Sequence, residues 1–450
     1  MGKLLKNNMD LKYSLNLFEI NTKKIKLIII GLLLGILFFN IFTLFIHIDK
    51  PTKIYDYLKI SWIIPILASI NALIGYFTIK DDYFKIERKP QKSDYKVIFQ
   101  ITTRGFNVDA LKRSIESIKY WAPKYLKDYE IWVITEPDAD PEIDNIKDVK
   151  IIKVPYDFST KNGSKYKTRA LEYAKELRKD YNHEKTWIYF LDEESIVGED
   201  TILGIIDFIE NNRGVIGQGL IIYPNFFGKN IFTSLADSIR PSADVSTHVF
   251  QIKMGFVSWM HGSHVLIRSD VEQKIGWDFG KTWGEDSLFG LKAQELGYRI
   301  EWLKGRLYEQ SPFTIKDFLK QRRRWALHAF DILKRKVPLK VKLTYFYSLL
   351  IWSSGLISLI ATILAIFSGT IFPFNDAIII LVMPVTVTWI GSYLVGLYLN
   401  TQPLNIPTHR KILFAIASII IGSILDGIAI WYAIFTMIMN RNLGFDVIKK

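Results

Sequence analysis

The charged middle of this chain is enclosed between apolar stretches that are each long enough to cross a lipid bilayer. Two of them lie near the N-terminus, at residues 27–46 and 60–79, and neither contains a charged residue. Three more lie near the C-terminus, at residues 345–367, 376–398 and 412–438. Because about 20 apolar residues cross the hydrocarbon core as a helix, the pattern predicts about five transmembrane helices.

The positions of these stretches divide the chain into three regions. We expect an N-terminal segment with two transmembrane helices at residues 1–80, a charged domain at 81–340 and a C-terminal membrane region at 341–450. The central region is long enough to build a core of its own. A cleavable signal peptide is the alternative for the first apolar stretch, but that stretch is too long and no small-residue cleavage site follows it. We therefore expect it to be retained.

Basic residues at the two ends indicate how the chain is oriented. Several lysines precede the first apolar stretch, among them Lys6, Lys12, Lys23, Lys24 and Lys26. The positive-inside rule then predicts a cytoplasmic N-terminus and, two crossings later, a cytoplasmic central domain. Five crossings would leave the C-terminal tail outside, and its basic residues Arg441, Lys449 and Lys450 argue mildly against that count.

The charge balance and the lack of cysteine limit the chemistry of the chain. A net charge of +13, from 58 basic and 45 acidic residues, suits contact with anionic lipid or with a phosphate-bearing substrate. Nucleic acid is the competing partner, but no nucleic-acid motif is present in its structural context. Without cysteine, disulfides, thiolate metal sites and cysteine nucleophiles are excluded. Any metal must therefore be held by oxygen or imidazole.

Short β-rich runs alternate with helical patterns at the start of the central domain. The predicted strands are residues 96–102, 130–135, 149–154 and 187–191. A helical pattern in DALKRSIESIKYWA follows the first strand, and another in TRALEYAKELRKD precedes the fourth. This order predicts an α/β fold with a mostly parallel sheet, whose ligands bind at the carboxyl ends of the strands.

Three acids, Asp192, Glu193 and Glu194, follow the fourth predicted strand directly. Asp192 and Glu194 are two positions apart, so in an extended or turning backbone both can face one side and chelate Mg²⁺ or Mn²⁺ by oxygen. The alternative is that EESIVGEDTILGIIDFIE forms a helix whose first turn carries the acids, where they interact favourably with the helix dipole. This stretch alone favours neither interpretation.

Two later motifs could supply partners for the acids. Gly284, Glu285 and Asp286 open an amphipathic helix, where Asp286 is either a general base or a simple N-cap. Further on, KQRRRWALHAF contains Gln321, Arg324 and Trp325 in a QxxRW spacing. Arginine binds phosphate through two parallel hydrogen bonds, and tryptophan offers a flat face to a sugar.

Other charges near the apolar regions have simpler explanations. Asp426 interrupts the last apolar stretch, and a position near a polar cavity or on an interfacial helix explains it better than a functional role. Arg322 and Arg323 precede the C-terminal membrane region, where we expect them to touch lipid headgroups. His261 and His264 in MHGSHVLIRSDV are possible metal or sugar contacts, although we interpret both as structural.

The three motifs in order resemble those of the membrane-bound family 2 glycosyltransferases, which have a GT-A fold. The chain is most similar to one branch, the egghead-type β-1,4-mannosyltransferases, through the segments TTRG, KYKTRALEYA, WIYFLDEES, GQGLIIYPN, SLADSIRPSAD, WGEDSLFGLKAQELGY and YEQSPFTIKDFLKQRRRW. This resemblance covers about residues 96–330. It implies inverting transfer of a hexose, with mannose from GDP-mannose expected, to a lipid-linked acceptor at the cytoplasmic membrane face.

The resemblance also implies roles for particular residues. Asp192 and Glu194 would hold Mg²⁺ or Mn²⁺ on the donor diphosphate, and Asp286 would be the base. The remaining residues fall into a nucleotide-sugar group, Thr103, Arg104, Glu136, Lys167, Arg169 and Glu193, and an acceptor or diphosphate group, Glu285, Gln321, Arg324 and Trp325. The wider family commonly has aspartate at both metal positions, so Glu194 is a departure, and TEPDAD leaves Glu136 and Asp138 as alternatives.

Other functions share some of these features. A processive polysaccharide synthase has the same three motifs but needs a polymer channel, for which about five spans offer little protein. A polyprenyl-phosphate glycosyltransferase differs only in transferring the sugar to a lipid phosphate. A membrane scaffold that binds a nucleotide-sugar without turnover has no need of a base such as Asp286. The sequence leaves open the sugar, the acceptor, the linkage and the oligomeric state.

Overall fold

A computed structural model describes residues 20–44, 54–87, 91–224, 230–368, 376–402, 404 and 406–439. The charges on which the predicted orientation rests lie partly outside these ranges. Lys6 and Lys12 precede the described residues, and Arg441, Lys449 and Lys450 follow them. The predicted orientation and the predicted domain boundaries therefore stay predictions.

The central region is built around one eight-stranded sheet. Its strands are β1 (Ser93–Thr102), β2 (Leu126–Thr135), β3 (Lys150–Lys153), β4 (Thr186–Leu191), β5 (Ile196–Val197), β6 (Ile216–Ile222), β7 (Val265–Arg268) and β8 (Ile300–Tyr308). The order across the sheet is β3-β2-β1-β4-β7-β6-β8-β5. β1 to β4 run parallel, β7 is antiparallel to both neighbours, and β6 pairs parallel with β8. The predicted α/β fold with a mostly parallel sheet is confirmed.

Helices cover both faces of the sheet and extend beyond it. Along the chain they are α1 (Thr22–Leu44), α2 (Ile66–Thr78), α3 (Val108–Tyr125), α4 (Tyr166–Glu176), α5 (Glu199–Glu210), α6 (Ile231–Ala236), α7 (Ile239–Ala243), α8 (Val249–Met254), α9 (Ser269–Ile275), α10 (Glu285–Glu295), α11 (Ile315–Lys334), α12 (Leu339–Ser368), α13 (Asp376–Thr401) and α14 (Thr408–Ile438). A π-helical turn, Asp244–His248, separates α7 from α8. The four strands and two helices predicted before residue 192 are all present.

β4 is buried on both faces, which explains why its sequence is a continuous apolar run. Ile188 and Phe190 point into the core shared with the apolar helices, whereas Trp187, Tyr189 and Leu191 point into the core beneath α3 and α5. Side chains alternate between the two faces because successive residues of a strand point in opposite directions. The strand is therefore fixed between two cores, and the acid cluster begins at its end.

The helix predicted to start within EESIVGEDTILGIIDFIE begins later than expected. Asp192, Glu193 and Glu194 lie in the turn between β4 and the short strand β5, and α5 starts only at Glu199. The interpretation of the three acids as the first turn of a helix is wrong. Pairing of β5 with β8 keeps Ile196 and Val197 extended, so the helix cannot begin at the acids. The acids therefore lie at the carboxyl edge of the sheet.

The five predicted apolar stretches coincide with five helical segments that are long and apolar enough to cross a membrane. These candidate spans are Thr22–Ile41, Tyr57–Thr78, Leu339–Phe367, Leu381–Thr401 and Thr408–Ile438. The second is not one continuous α-helix, because a 3₁₀ segment ends at Trp62 and α2 starts only after Pro65. α2 alone has 13 residues and is about 20 Å long, short of the roughly 30 Å hydrocarbon core.

Arg322 joins the central region to the last apolar helix. Its guanidinium, on α11, pairs with Asp237 and lies 2.8 Å from Oδ1 of Asp426 on α14. Arg322 and Arg323 are both buried, so the expectation that they touch lipid headgroups is wrong. Asp426 is the partner of a buried cation, which accounts for a carboxylate in an apolar helix.

Loss of this cation should destabilise the fold. In Arg322→Ala, the carboxylate of Asp237, which is fully buried, is left without its partner, and removal of one partner of a buried pair costs about 3–5 kcal/mol. Denaturant unfolding of the detergent-solubilised chain measures the change. The control is Lys316→Ala, on the exposed side of the same helix, which should leave the free energy of unfolding nearly unchanged. Equal stability of the two variants would contradict this role of Arg322.

Candidate active site

A cavity of about 410 Å³ lies at the carboxyl ends of β1, β2 and β4. This is where an α/β sheet binds its ligands. Of the residues predicted from sequence, only Arg169 is absent from its wall, which includes Thr103, Arg104, Glu136, Lys167, Asp192, Glu193, Glu194, Glu285, Asp286, Gln321, Arg324 and Trp325. Residues more than 200 positions apart in the chain therefore surround one space.

The wall near β1 and β2 is held by side-chain pairs. The Thr103 hydroxyl donates a hydrogen bond to Glu193, and Arg104 pairs with the exposed Asp138 at 2.8 Å. Glu136 lines the cavity and Asp138 does not, which favours Glu136 of the two alternatives.

Arg169 lies behind the cavity wall. Its Nη2 donates to Glu136 at 2.7 Å, and its Nη1 donates to the carbonyl oxygens of Pro155 and Phe158 at 2.8 and 3.1 Å. With these partners, Arg169 is placed to orient Glu136. A direct contact of Arg169 with a nucleotide remains only a prediction.

Lys167 brings together the acid cluster and the GED motif. Its Nζ lies 3.0 Å from Oδ1 of Asp192 and 3.6 Å from Oε1 of Glu285. Burial alone would lower the pKa of Lys167, but the charges of Asp192, Glu285 and Asp286 raise it above its usual range. Lys167 is therefore a permanent cation among three carboxylates that come from two distant parts of the sequence.

Asp286 has the properties of a general base. Burial, reinforced by the nearby charge of Glu285, raises its pKa to about 7, while Lys167 and the backbone N–H of Ser287 oppose the rise. The Ser287 N–H donates to Oδ1 at 2.7 Å and fixes the carboxylate at the start of α10. A carboxylate that titrates near neutral pH can accept a proton from a bound hydroxyl and release it again.

The QxxRW motif lies on α11 and contributes the opposite wall. The Trp325 indole is flanked by two guanidinium groups, with Cζ of Arg322 at 4.2 Å and Cζ of Arg240 at 4.9 Å from its ring centroid. Gln321 is buried and accepts a hydrogen bond from Nη1 of Arg322 at 2.9 Å. Arg322 therefore fixes the orientation of two of the three motif residues.

The wall also contains a cluster of polar side chains that were not predicted from the sequence. Arg240 lies over the Tyr223 ring at 4.3 Å, and Tyr223 donates to the buried carboxylate of Glu309 at 3.1 Å. Nε2 of His261 lies 3.1 Å from Oδ1 of Asp244, in the π-helical turn. Burial opposes the imidazolium of His261, but Asp244 raises its pKa above the usual value.

Only weak sequence signals could have identified these polar side chains. Arg240 and Asp244 stand in SLADSIRPSAD, which contributed to the family resemblance without indicating any role. His261 lines the cavity, so its interpretation as structural is incomplete. His264 is a core residue, fully buried and 2.7 Å from the Tyr189 hydroxyl through Nδ1, in agreement with the structural interpretation.

The carboxylates of the cavity suit a divalent cation that is completed by a ligand. Among the described residues, no group of three acidic or histidine side chains is arranged to hold a metal ion by itself. Asp192 and Glu194 nevertheless both line the cavity and offer oxygen ligands. Mg²⁺ is usually bound by one or two carboxylates together with substrate phosphates, so these residues fit a metal bound with a diphosphate.

Part of the chain matches a protein-family model. Residues 187–399 match the model described as Glycosyl transferase family group 2. The matched residues include the acid cluster after β4, the GED motif on α10 and the QxxRW motif on α11. This part of the chain is therefore similar to a family 2 glycosyltransferase domain.

Curated proteins with similar sequences are named β-1,4-mannosyltransferases. The Drosophila melanogaster protein egh is 32% identical over 263 residues, which cover 57% of this chain and 57% of the relative. The Caenorhabditis elegans protein bre-3 is 30% identical over 266 residues, which cover 58% of this chain and 57% of the relative. The matched stretches therefore span little more than half the length of these relatives. The resemblance to the egghead-type branch is confirmed.

Solved structures similar to this chain are distant in sequence. The mannosyltransferase PcManGT from Pyrobaculum calidifontis, in complex with GDP-Man and Mn²⁺, is 12% identical and aligns over 83% of this chain and 99% of its own, with a TM-score of 0.45. The S. aureus TarS fragment 1–349 is 13% identical and aligns over 78% of this chain and 94% of its own, with a TM-score of 0.33.

The charges around Asp286 predict opposite pH shifts in two variants. If the carboxylate is the base, kcat/KM for transfer should rise with pH through about 7. Lys167→Gln removes the cation that lowers the pKa of Asp286, so the rise should move to higher pH. Glu285→Gln removes the charge that raises this pKa, so the rise should move to lower pH.

The control for the pH profiles is Lys161→Gln, an exposed lysine outside the cavity wall, which should leave the profile in place. Shifts of the same sign in Lys167→Gln and Glu285→Gln would contradict the assignment of the titrating group to Asp286.

The absence of a side chain at Gly262 leaves room for the Asp286 carboxylate. A Cβ atom at Gly262 would lie 3.0 Å from Oδ2 of Asp286 and 3.2 Å from Nζ of Lys167. Gly262→Ala should therefore displace both groups and lower the rate of transfer about tenfold or more, because small displacements of catalytic groups are costly. The matched control is Gly355→Ala, where a Cβ meets no atom within 4 Å. Full activity of Gly262→Ala in a transfer assay would show that the close approach of residue 262 to Asp286 and Lys167 is not critical.

Proposed function

We propose that this protein transfers a hexose, with mannose from GDP-mannose as the expected donor, to a lipid-linked acceptor with inversion at the anomeric carbon. The observation that carries the proposal is the arrangement around Lys167. A partly buried carboxylate with a pKa of about 7, Asp286, lies near the same cation as Asp192 of the acid cluster. A carboxylate that can accept a proton from an acceptor hydroxyl therefore lines the same cavity as carboxylates that can bind the metal ion of a metal–diphosphate complex.

The donor diphosphate would bind on the side of the acid cluster. Asp192 and Glu194 would hold Mg²⁺ or Mn²⁺, which when bound neutralises charge on the diphosphate. Arg324, which also lines the cavity, would contribute a cation, and arginine matches phosphate oxygens in a bidentate manner. Thr103, Arg104 and Glu136 form the wall nearest β1 and β2 and are the candidates for nucleotide contacts.

The transfer step is a single displacement. The acceptor hydroxyl oxygen attacks the anomeric carbon from the face opposite the diphosphate and forms the new glycosidic bond. Asp286 takes the hydroxyl proton as the bond from the anomeric carbon to the diphosphate oxygen breaks, and the electron pair leaves with GDP. The step is balanced and needs no covalent enzyme intermediate. The cationic wall stabilises charge on the departing diphosphate.

Two further observations support the expected donor and acceptor. The relatives of the domain are named mannosyltransferases, which supports mannose. The cavity wall includes Trp352, which lies within the candidate span Leu339–Phe367, and this supports an acceptor carried by a membrane lipid. The lysines ahead of the first span support a cytoplasmic location of the domain.

Donor turnover tests the proposal. Release of GDP or UDP from a panel of nucleotide-sugars is measured with the detergent-purified chain, with Mn²⁺ or Mg²⁺ and with a chelator. We expect metal-dependent release from GDP-mannose that is reduced at least about a hundredfold in Asp192→Ala and Asp286→Asn, as for the loss of a base or a metal ligand. Asp94→Asn, which alters an exposed acid far along β1 from the cavity, is the matched control and should retain activity.

The other outcomes point to different functions. Release of UDP from a UDP-sugar, without release of GDP from GDP-mannose, would leave the proposed site unchanged. It would overturn mannose as the transferred sugar. Binding of GDP-mannose without release, unchanged by Asp286→Asn, would overturn the enzymatic proposal and favour a nucleotide-sugar-binding scaffold.

A further inference from the structure

The loop that leads into the GED motif is held at the end of α11. This lead-in loop, residues 279–284, lies directly before the helix that carries Asp286. Nη1 and Nη2 of Arg335 donate hydrogen bonds to the carbonyl oxygens of Phe279 and Lys281, each at 3.0 Å. One guanidinium, directly after the last residue of α11, therefore binds two backbone carbonyl groups of the loop.

A carboxylate in the last turn of α11 connects this guanidinium with a hydroxyl of the loop. Oδ2 of Asp331 accepts hydrogen bonds from Oγ1 of Thr282 at 2.9 Å and from Nε of Arg335 at 3.0 Å. The Thr282 hydroxyl in turn accepts from the backbone N–H of Gly284 at 3.3 Å, two residues before Asp286. Thr282, Asp331 and Arg335 thus form a connected set of side chains, which we call the clamp.

The lead-in loop also packs closely against the side of α11. Gly284, its last residue, lies against the imidazole of His328, and a Cβ atom at this position would be only 2.4 Å from the ring. His328 is buried, and its ring contacts those of Trp259 and Tyr345 at centroid distances of 5.5 and 5.7 Å. Because close-packed neighbours leave the ring little room to move, the loop has one position on the helix. Hydrogen bonds and packing therefore fix the same segment.

The helix that holds the loop also carries the QxxRW motif. Arg324, which lines the cavity, lies about 10 Å along α11 from Asp331. Since a helix is rigid over this length, a loop held at the position of Asp331 keeps a fixed distance from Arg324. The clamp thus connects the loop before Asp286 with the wall that we propose for the diphosphate. The side chains of Asp331 and Arg335 are only 22% and 25% exposed, so solvent screens their pairing less than at an open surface.

We propose that the side chains of the clamp are positioning residues, which hold Asp286 at the cavity wall in the orientation that accepts the proton of the acceptor hydroxyl. The inference rests on the proposed function, in which Asp286 is the base. Thr282, Asp331 and Arg335 lie outside the cavity wall, so they act on the reaction through the lead-in loop. Loss of the clamp should slow the transfer step and leave donor binding unchanged, because the acid cluster follows β4, a different element.

Three variants of the clamp test this role. Thr282→Val keeps the shape of the side chain but removes the hydroxyl, Thr282→Ser keeps the hydroxyl, and Asp331→Ala removes the carboxylate. Release of GDP from GDP-mannose by the detergent-purified chain with Mn²⁺ is measured against donor concentration. We expect Thr282→Val and Asp331→Ala to lower kcat about tenfold, because small displacements of a catalytic group are costly, with KM for GDP-mannose within about twofold. Thr282→Ser should retain kcat within about twofold.

Hydrogen exchange of the backbone measures the loop independently of the reaction. Peptides that cover residues 279–290 should exchange about fivefold faster in Thr282→Val and Asp331→Ala, the effect of losing one hydrogen bond that protects the loop. Peptides of β4 should exchange at the same rate as in the natural sequence. A local change of this kind separates a released loop from a destabilised fold.

Two matched controls change similar side chains elsewhere. Asp270→Ala removes the carboxylate of another arginine–aspartate pair, in which Nε of Arg268 lies 2.7 Å from Oδ1, outside the cavity wall. Lys334→Gln changes an exposed residue next to Arg335. Both should leave kcat and the exchange of residues 279–290 unchanged, and all five variants should have similar thermal unfolding midpoints.

Three results would overturn the positioning role. One is an unchanged kcat in both Thr282→Val and Asp331→Ala. Another is an equal loss of kcat in Thr282→Val and Thr282→Ser, which would show that the hydroxyl is not responsible. The third is a lower kcat without faster exchange of residues 279–290. Absence of GDP release by the natural sequence, together with the expected change in loop exchange, would instead overturn the proposed function and leave the clamp as a structural contact.

Discussion

The ammonium group of Lys167 is the interaction on which the candidate site depends. It lies at the start of α4 and faces Asp192, which follows β4, and Glu285 and Asp286, which open α10. Without a cation, three carboxylates in one partly buried space would repel one another and take up protons. Lys167 lies 3.0 Å from Asp192, and its charge opposes the rise of the Asp286 pKa, which stays at about 7. One side chain thus connects the acid that we propose as a metal ligand with the acid that we propose as the base.

The apolar helices also shape the cavity, because polar contacts connect them to its wall. The Tyr345 hydroxyl of α12 bonds Ser258, beside Trp259, and Oδ1 of Asn400 on α13 accepts from the backbone N–H of Tyr223 at 2.7 Å. Asp426 of α14 pairs with Arg322, which stacks on Trp325. Each of the three C-terminal helices therefore holds a different part of the wall, and the site depends on helices that the family motifs do not include.

The sequence predicted the first half of the sheet better than the second for a physical reason. β1 to β4 run parallel, with α3 between β1 and β2 and α4 between β3 and β4, so apolar runs alternate with amphipathic helices in this part of the sequence. β5 has only two residues, β7 is antiparallel, and between β6 and β7 the chain passes through short helices and a π-turn. Short elements of mixed direction leave little periodicity to detect. For the same reason the sequence left two interpretations of the acid cluster open, and the two-residue strand β5, which delays the helix to Glu199, decides between them.

By itself the sequence determined the apolar helices at both ends, the α/β order of the central region, and the residues of the acid cluster, GED and QxxRW motifs. It could do so because hydropathy, periodicity and local spacing are properties of neighbouring residues. The tertiary structure alone decided what these residues meet. The pKa of Asp286 depends on burial and on Lys167, which lies more than 100 positions earlier. The pairing of Arg322 with Asp426 likewise follows from long-range packing. Burial and charge proximity are properties of the folded chain, so no local pattern records them.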